Sequence, residues 1–164
     1  MNAVRLLFIR HAIAVAATGG MRDEERSLTP EGEQRFRQTA RVLARVAEKP
    51  RVILTSPHLR AQQTAALAAQ AWGDMRPIVV PALAQGDWPA ICRALAAYEK
   101  DDTVALVGHE SWISTITARL LGSRKHQAFD YRKGGAALIE AEDLQACNGT
   151  LLWFIPPRVF RRME

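Results

Sequence analysis

Three short stretches of this chain place arginine and histidine immediately beyond apolar runs. Arg10-His11 follow VRLLFI, Arg60 lies one turn past LTSP, and His109-Glu110 follow TVALVG. An arginine guanidinium is a planar fork of N–H donors that matches phosphoryl oxygens, and two of them can hold such a group and neutralise its charge during transfer. A neutral imidazole can attack phosphorus to form a covalent phosphohistidine that water then hydrolyses, dividing one difficult displacement into two easier ones. Cationic neighbours depress a histidine pKa and keep the attacking ring neutral near pH 7. On residue types alone, either histidine can be the nucleophile.

These groups meet only if the apolar runs before them lie side by side. VRLLFI (4–9) is short and continuously apolar, which predicts a buried strand. Residues 12–28, with Gly19-Gly20 and MRDEER, read as a loop. Thr29 as N-cap and Pro30 at the first helical position open a helix through about Glu48, which Lys49-Pro50 end. VILTSP (52–57) is a second strand. Ser56 and Pro57 repeat the cap-and-proline signal for a helix over HLRAQQTAALAAQAW, so Arg60 extends a helix start that already favours anions. PIVVPAL is a third strand, followed by a helix over 88–99. TVALVG (103–108) is a fourth, and ESWISTITARLLG is a helix stopped by Gly122. GGAALIEAE and GTLLWFI are two closing strands joined through Asn148-Gly149.

Alternating strands and helices predict an α/β fold. The expectation is a single three-layer domain over residues 1–164, with a mostly parallel sheet of about six strands flanked by helices. Ligands of such sheets bind beyond the carboxyl ends of the strands, where Arg10, His11, Arg60 and His109 fall.

Composition narrows the alternatives. The 164 residues are 48% apolar and 24% charged, as in an ordinary globular domain. No stretch supplies the ~20 continuous apolar residues of a membrane span. A secretory leader is a poor reading of the first residues, because Arg10-His11 leave only Leu6 to Ile9 uninterrupted. Cys92 and Cys147 form neither a disulfide framework nor a zinc pattern, which points to a reducing cytoplasm. A net charge of +5 is spread along the chain, and an aromatic content of 7% offers no stacking platform for nucleic acid. Surplus arginine suits a small anionic group such as phosphate equally well.

The segments FIRHA, LTPEGEQR, LTSPHLRAQQTA and VALVGHES resemble the histidine phosphatase superfamily. The short length, RKGGAALIE and the ending LLWFIPPRVF look like its SixA-type phosphohistidine phosphatases. The resemblance implies a phosphoglycerate mutase-like fold, His11 as nucleophile, Arg10 and Arg60 as phosphoryl ligands, and His109 as the second histidine of the pocket. Ala12 departs from the pattern, which has glycine after Arg-His.

Many superfamily members carry a carboxylate just past the third strand to protonate the leaving oxygen. Here Ala82 and Gln85 stand in that region, and Asp87 is the first acid. An alkoxide needs such a donor. A protonated phosphohistidine leaves instead as neutral imidazole, whose conjugate acid has a pKa of ~6.5. The acid phosphatase branch points to Glu110 as a proton donor, whereas a first-turn glutamate also complements a helix dipole. Asp23, Glu24 and Glu25 lie in a loop able to fold over the pocket, although a charge run is usually solvated.

Other residues have plainer readings. His58 is expected on the exposed first turn of its helix, His126 in a loop, and Ser56 as a cap rather than a nucleophile. Trp72, Trp88, Trp112 and Trp153 read as core or groove wall. A metal between His11, His109 and a carboxylate is disfavoured by two adjacent arginines. The expectation is a metal-independent phosphatase without a cofactor, acting on phosphohistidine in a protein. The alternatives are a phosphatase for small phosphorylated metabolites with Glu110 as acid, and a non-catalytic module that binds a phosphorylated ligand.

Overall fold

The computed structural model describes residues 3–99 and 101–164. Its centre is a six-stranded sheet in the order β3-β2-β4-β1-β5-β6. The strands are β1 (Val4–Arg10), β2 (Val52–Thr55), β3 (Ile78–Val79), β4 (Thr103–Gly108), β5 (Ala136–Ala141) and β6 (Thr150–Ile155). The first four run parallel, and β5 and β6 add antiparallel pairings at one side. This is the mostly parallel α/β sheet that the alternation of runs predicts.

The register matters for the site. Arg10 pairs with Gly108 and Thr55 with Val107, so β1, β2 and β4 end at one level. Whatever follows them shares a rim.

Strand β1 lies between β4 and β5 with both faces covered, and Leu6, Leu7, Phe8 and Ile9 are fully buried. Its alternating side chains feed two cores. Leu7 and Ile9 pack with Phe36 and Leu43 of α1 (Pro30–Val46), Ala65 and Ala68 of α2 (Leu59–Ala71), and Phe160 of α5 (Pro157–Arg162). Leu6 and Phe8 face the opposite core, with Ile91 of α3 (Trp88–Leu95) and Ile113 and Ile116 of α4 (Trp112–Leu120).

Helix α1 begins as its sequence predicts, with Thr29 Oγ1 accepting from the Gly32 N–H at 2.9 Å. Gly32 has no room for a side chain, because a Cβ there would lie 2.2 Å from the Ile13 carbonyl oxygen. The helix thereby packs directly on the loop that leaves β1.

Several expectations need correction. Helix α2 starts at Leu59 with His58 as its N-cap residue, two residues later than Ser56 would place it. Ser56 is fully buried and takes a different role, described below. The run PIVVPAL pairs only through Ile78 and Val79, because prolines flank this edge strand and residues 81–84 form a 3₁₀ turn. Helix α3 stops at Leu95 rather than 99. Helix α5, which the sequence reading does not predict, follows β6 with Pro156 as its N-cap residue and Pro157 in its first turn.

Candidate active site

The rim formed by β1, β2 and β4 brings Arg10, His11, Arg60 and His109 together. His11 follows the last residue of β1 and is only 5% exposed. Its backbone N–H continues the ladder by donating to the Gly108 carbonyl at 3.0 Å. The ring is fixed from both ends: Nδ1 lies 2.7 Å from the Ala12 carbonyl, and Nε2 accepts from Arg60 Nε at 3.3 Å. A carbonyl only accepts, so the proton of the neutral ring sits on Nδ1 and the free lone pair on Nε2. Burial, followed by the Arg60 and Arg10 charges, lowers the His11 pKa from 6.5 to about 3. The ring is neutral at physiological pH, with its Nε2 lone pair available.

Ala12 fits here without strain. It is 3% exposed and its methyl joins the core beside Leu7 and Phe36. Its N–H donates to Thr64 Oγ1 at 3.0 Å, and its carbonyl orients His11. The site uses the Ala12 backbone, which glycine or alanine supplies equally.

Arg60 comes from the first turn of α2 and its side chain is 7% exposed. Besides contacting His11, it donates through Nη1 to the Asp23 carbonyl at 2.6 Å and through Nη2 to Asp23 Oδ2 at 2.8 Å. The loop carrying Asp23 therefore folds over the rim. Hydrogen bonds from Arg26 and Arg60 hold the Asp23 carboxyl at about 2, against an ordinary 3.8. Glu24 and Glu25 pair instead with Arg22.

Arg10 is anchored by Nη1 to the Tyr131 carbonyl at 2.6 Å, while its buried Nε has no protein partner. Burial lowers its pKa, opposed by the Glu110 and Asp130 charges. Tyr131 is itself fully buried, and its hydroxyl lies 2.8 Å from Thr117 Oγ1.

His109 is 6% exposed, and its ring centroid lies 5.1 Å from that of His11. Its Nε2 is 2.7 Å from Ser56 Oγ, which also accepts from the His58 N–H at 3.2 Å. Ser56 thus positions His109, a function the sequence did not reveal. A Ser56 hydroxyl that donates to His109 Nε2 leaves the ring proton on Nδ1. That Nδ1 is buried and has no protein partner. Burial first, then His11 and Arg60, lower the His109 pKa from 6.5 to about 3.

Glu110 begins the turn into α4. Oε1 accepts from the Ser114 N–H at 3.3 Å and Oε2 from the Ser114 hydroxyl at 2.8 Å. Asp87 caps α3 by accepting from the Ala90 N–H at 3.1 Å. His58 is not the exposed residue its position on the helix predicts. Its ring lies 4.7 Å from that of His109, and its Nδ1 is 3.6 Å from Asp23 Oδ2. The covering loop is the reason, since periodicity along α2 cannot register a segment arriving from residues 22–26. His126 stays in a short 3₁₀ turn away from this cluster. Among the described residues, no group of three or more histidine, cysteine or carboxylate side chains is arranged to hold a metal ion.

The rim thus gathers two buried neutral imidazoles beside two arginines. The family model for the histidine phosphatase superfamily (branch 1) matches residues 6–91, and the chain belongs to that superfamily. It is a phosphatase of the α/β, phosphoglycerate mutase-like type. An uncharacterised protein of a Picosynechococcus species is 34% identical over 146 residues, covering 82% of this chain and 88% of that protein. The fold is similar to that of the protein histidine phosphatase SixA complexed with tungstate, with a TM-score of 0.79, 24% identity, and coverage of 94% of this chain and 98% of the other. It is also similar to a mycobacterial glucosyl-3-phosphoglycerate phosphatase, with a TM-score of 0.75, 18% identity, and coverage of 94% and 99%. No helix among the described residues is long and apolar enough to cross a membrane.

Proposed function

We propose that this protein is a SixA-type phosphatase that removes phosphate from phosphohistidine in proteins, through a covalent phosphoenzyme on His11 and without a metal. His11 Nε2 attacks phosphorus while the P–N bond of the substrate breaks. The substrate ring, protonated before reaction, departs as neutral imidazole. His11 then carries phosphate on Nε2 and its proton on Nδ1, where the Ala12 carbonyl stabilises the cation. Water attacks next, the His11 P–N bond breaks, and inorganic phosphate leaves with His11 neutral again. Arg10, Arg60 and the Nδ1 proton of His109 hold the phosphoryl oxygens through both steps.

The state of the nearby carboxylates carries the choice of substrate. Asp87 is occupied by the α3 cap, both Glu110 oxygens by Ser114, and Asp23 is held ionised on two arginines. None of the three stands ready to protonate an alkoxide, and a phosphohistidine needs no such donor.

The test begins with a chromogenic aryl phosphate in the presence of chelator. Wild type should turn it over, and His11→Ala should lose activity by a factor on the order of 10³ or more. Equal activity in the two would remove His11 as nucleophile. A phosphorylated histidine-containing protein is then compared with a phosphoserine peptide and a sugar phosphate. Preference for the sugar phosphate would establish the metabolite phosphatase instead, and selective loss of ester hydrolysis in Glu110→Gln would make Glu110 its acid. Tight oxyanion binding with no turnover of any substrate would identify a binding module.

A further inference from the structure

Beyond the pocket, a groove of about 300 Å³ runs outward from Arg10, and six of the eight residues that line it are arginine or lysine. They come from distant parts of the chain: Arg35 from α1, Arg132 and Lys133 from the loop before β5, and Arg158 and Arg161 from one face of α5. Arg35 pairs with Glu31 at 2.5 Å and Arg132 with Asp130 at 2.8 Å. Among the described residues, no carboxylate lies within ion-pair distance of Lys133, Arg158 or Arg161. Folding therefore gathers like charges with too few counter-charges, which costs stability unless a partner supplies the anions.

Two features select the partner. Arg132, Lys133 and Arg158 are exposed, so the groove presents solvated cations to a surface instead of enclosing a small molecule. Arg10 lines this groove and also stands on the rim with His11, so an anion in the groove lies beside the group being transferred.

We propose that the groove binds carboxylate side chains flanking the phosphohistidine of an acidic protein segment, and so sets the protein's preference among phosphohistidine substrates. This rests on the phosphohistidine reading of the active site. Long-range attraction between the two surfaces would act mainly on encounter and KM and would weaken with salt.

Two synthetic peptides of equal length, each with one phosphohistidine, are flanked in one case by glutamates and in the other by glutamines. Wild type should show a kcat/KM about tenfold higher for the glutamate peptide at low salt, with the advantage collapsing as sodium chloride is raised. Arg158→Glu/Arg161→Glu should abolish or invert that preference through KM, while aryl phosphate hydrolysis stays unchanged. The neutral Arg158→Gln/Arg161→Gln should lose most of the preference with less risk to the fold. No difference between the peptides on wild type, or a preference that survives in both double variants, overturns the groove. So does a case in which the variants lose a sugar bisphosphate and retain the glutamate peptide. Failure of the phosphohistidine reading appears separately, as turnover of aryl phosphate but of neither peptide. The groove is then decided by fluorescence anisotropy with unphosphorylated peptides, where equal weak binding of the glutamate and glutamine forms rejects it.

Discussion

At the scale of single residues, the site keeps two imidazoles neutral by burying them among cations, and stability should record this. His11 and His109 each have a native pKa of about 3 against an ordinary 6.5. Between those values the unfolded chain binds protons that the folded chain refuses, so the contribution is fully present above pH 6.5 and is lost as pH falls toward 3. Thermal unfolding should show a Tm falling by several degrees between pH 7 and pH 4.5, and His109→Asn should flatten that slope. A Tm independent of pH in this range would contradict the buried neutral pair. The window excludes Asp23, whose stabilising effect is lost only below its ordinary 3.8. Asp23 has its own expected effect, because its carboxylate occupies Arg60 Nη2, a donor that a phosphoryl group would use, while its backbone carbonyl takes Nη1. Asp23→Asn keeps the shape and removes the charge, so tungstate affinity measured by titration should rise severalfold. A fall in affinity would instead show that Asp23 holds Arg60 in its binding position.

At the scale of elements, the four principal side chains are precise because each leaves the end of a covered strand or the first turn of a helix. Gly108 shows how tightly the end of β4 is fitted. A Cβ there would lie 2.0 Å from Trp112 Cζ2, while the indole N–H donates to the Leu83 carbonyl at 3.0 Å. Gly108→Ala should therefore displace the indole and cost about 1–3 kcal/mol by urea denaturation. Adding Trp112→Leu should recover part of that loss if the clash is its cause, whereas simple addition of two penalties would reject the explanation. The same geometry explains what could be read in advance. Arg10, His11, Arg60 and His109 stand beside runs whose periodicity identifies their elements, so their convergence follows from a parallel sheet. Asp23 and His58 meet through a loop of residues 12–28 that has no periodicity, and only the fold places one beside the other. Ser56 combined two cues that sequence could not separate: it resembles a helix cap, but the helix begins beyond it and its hydroxyl is used by His109.

At the scale of the whole molecule, the C-terminal helix joins stability to the proposed specificity. Phe160 of α5 is fully buried, 6.2 Å from Trp153 in an edge-to-face arrangement, while Arg158 and Arg161 on the same short helix line the cationic groove. Six residues carry too little periodicity to reveal this role, and one aromatic anchor supplies what helix propensity cannot. Phe160→Ala should cost about 3–5 kcal/mol of stability, read as a lowered urea midpoint. Under conditions where the variant remains folded, aryl phosphate hydrolysis should persist, because Arg10, His11, Arg60 and His109 are anchored by β1, β2, β4 and the first turn of α2. Discrimination between glutamate- and glutamine-flanked phosphohistidine peptides should fall in the same variant, since the arginines lose their fixed position. Phe160→Leu should restore most of the stability and, with it, the discrimination. If discrimination stays intact in Phe160→Ala, docking of α5 is structural only, and recognition lies with the cations of the loop before β5.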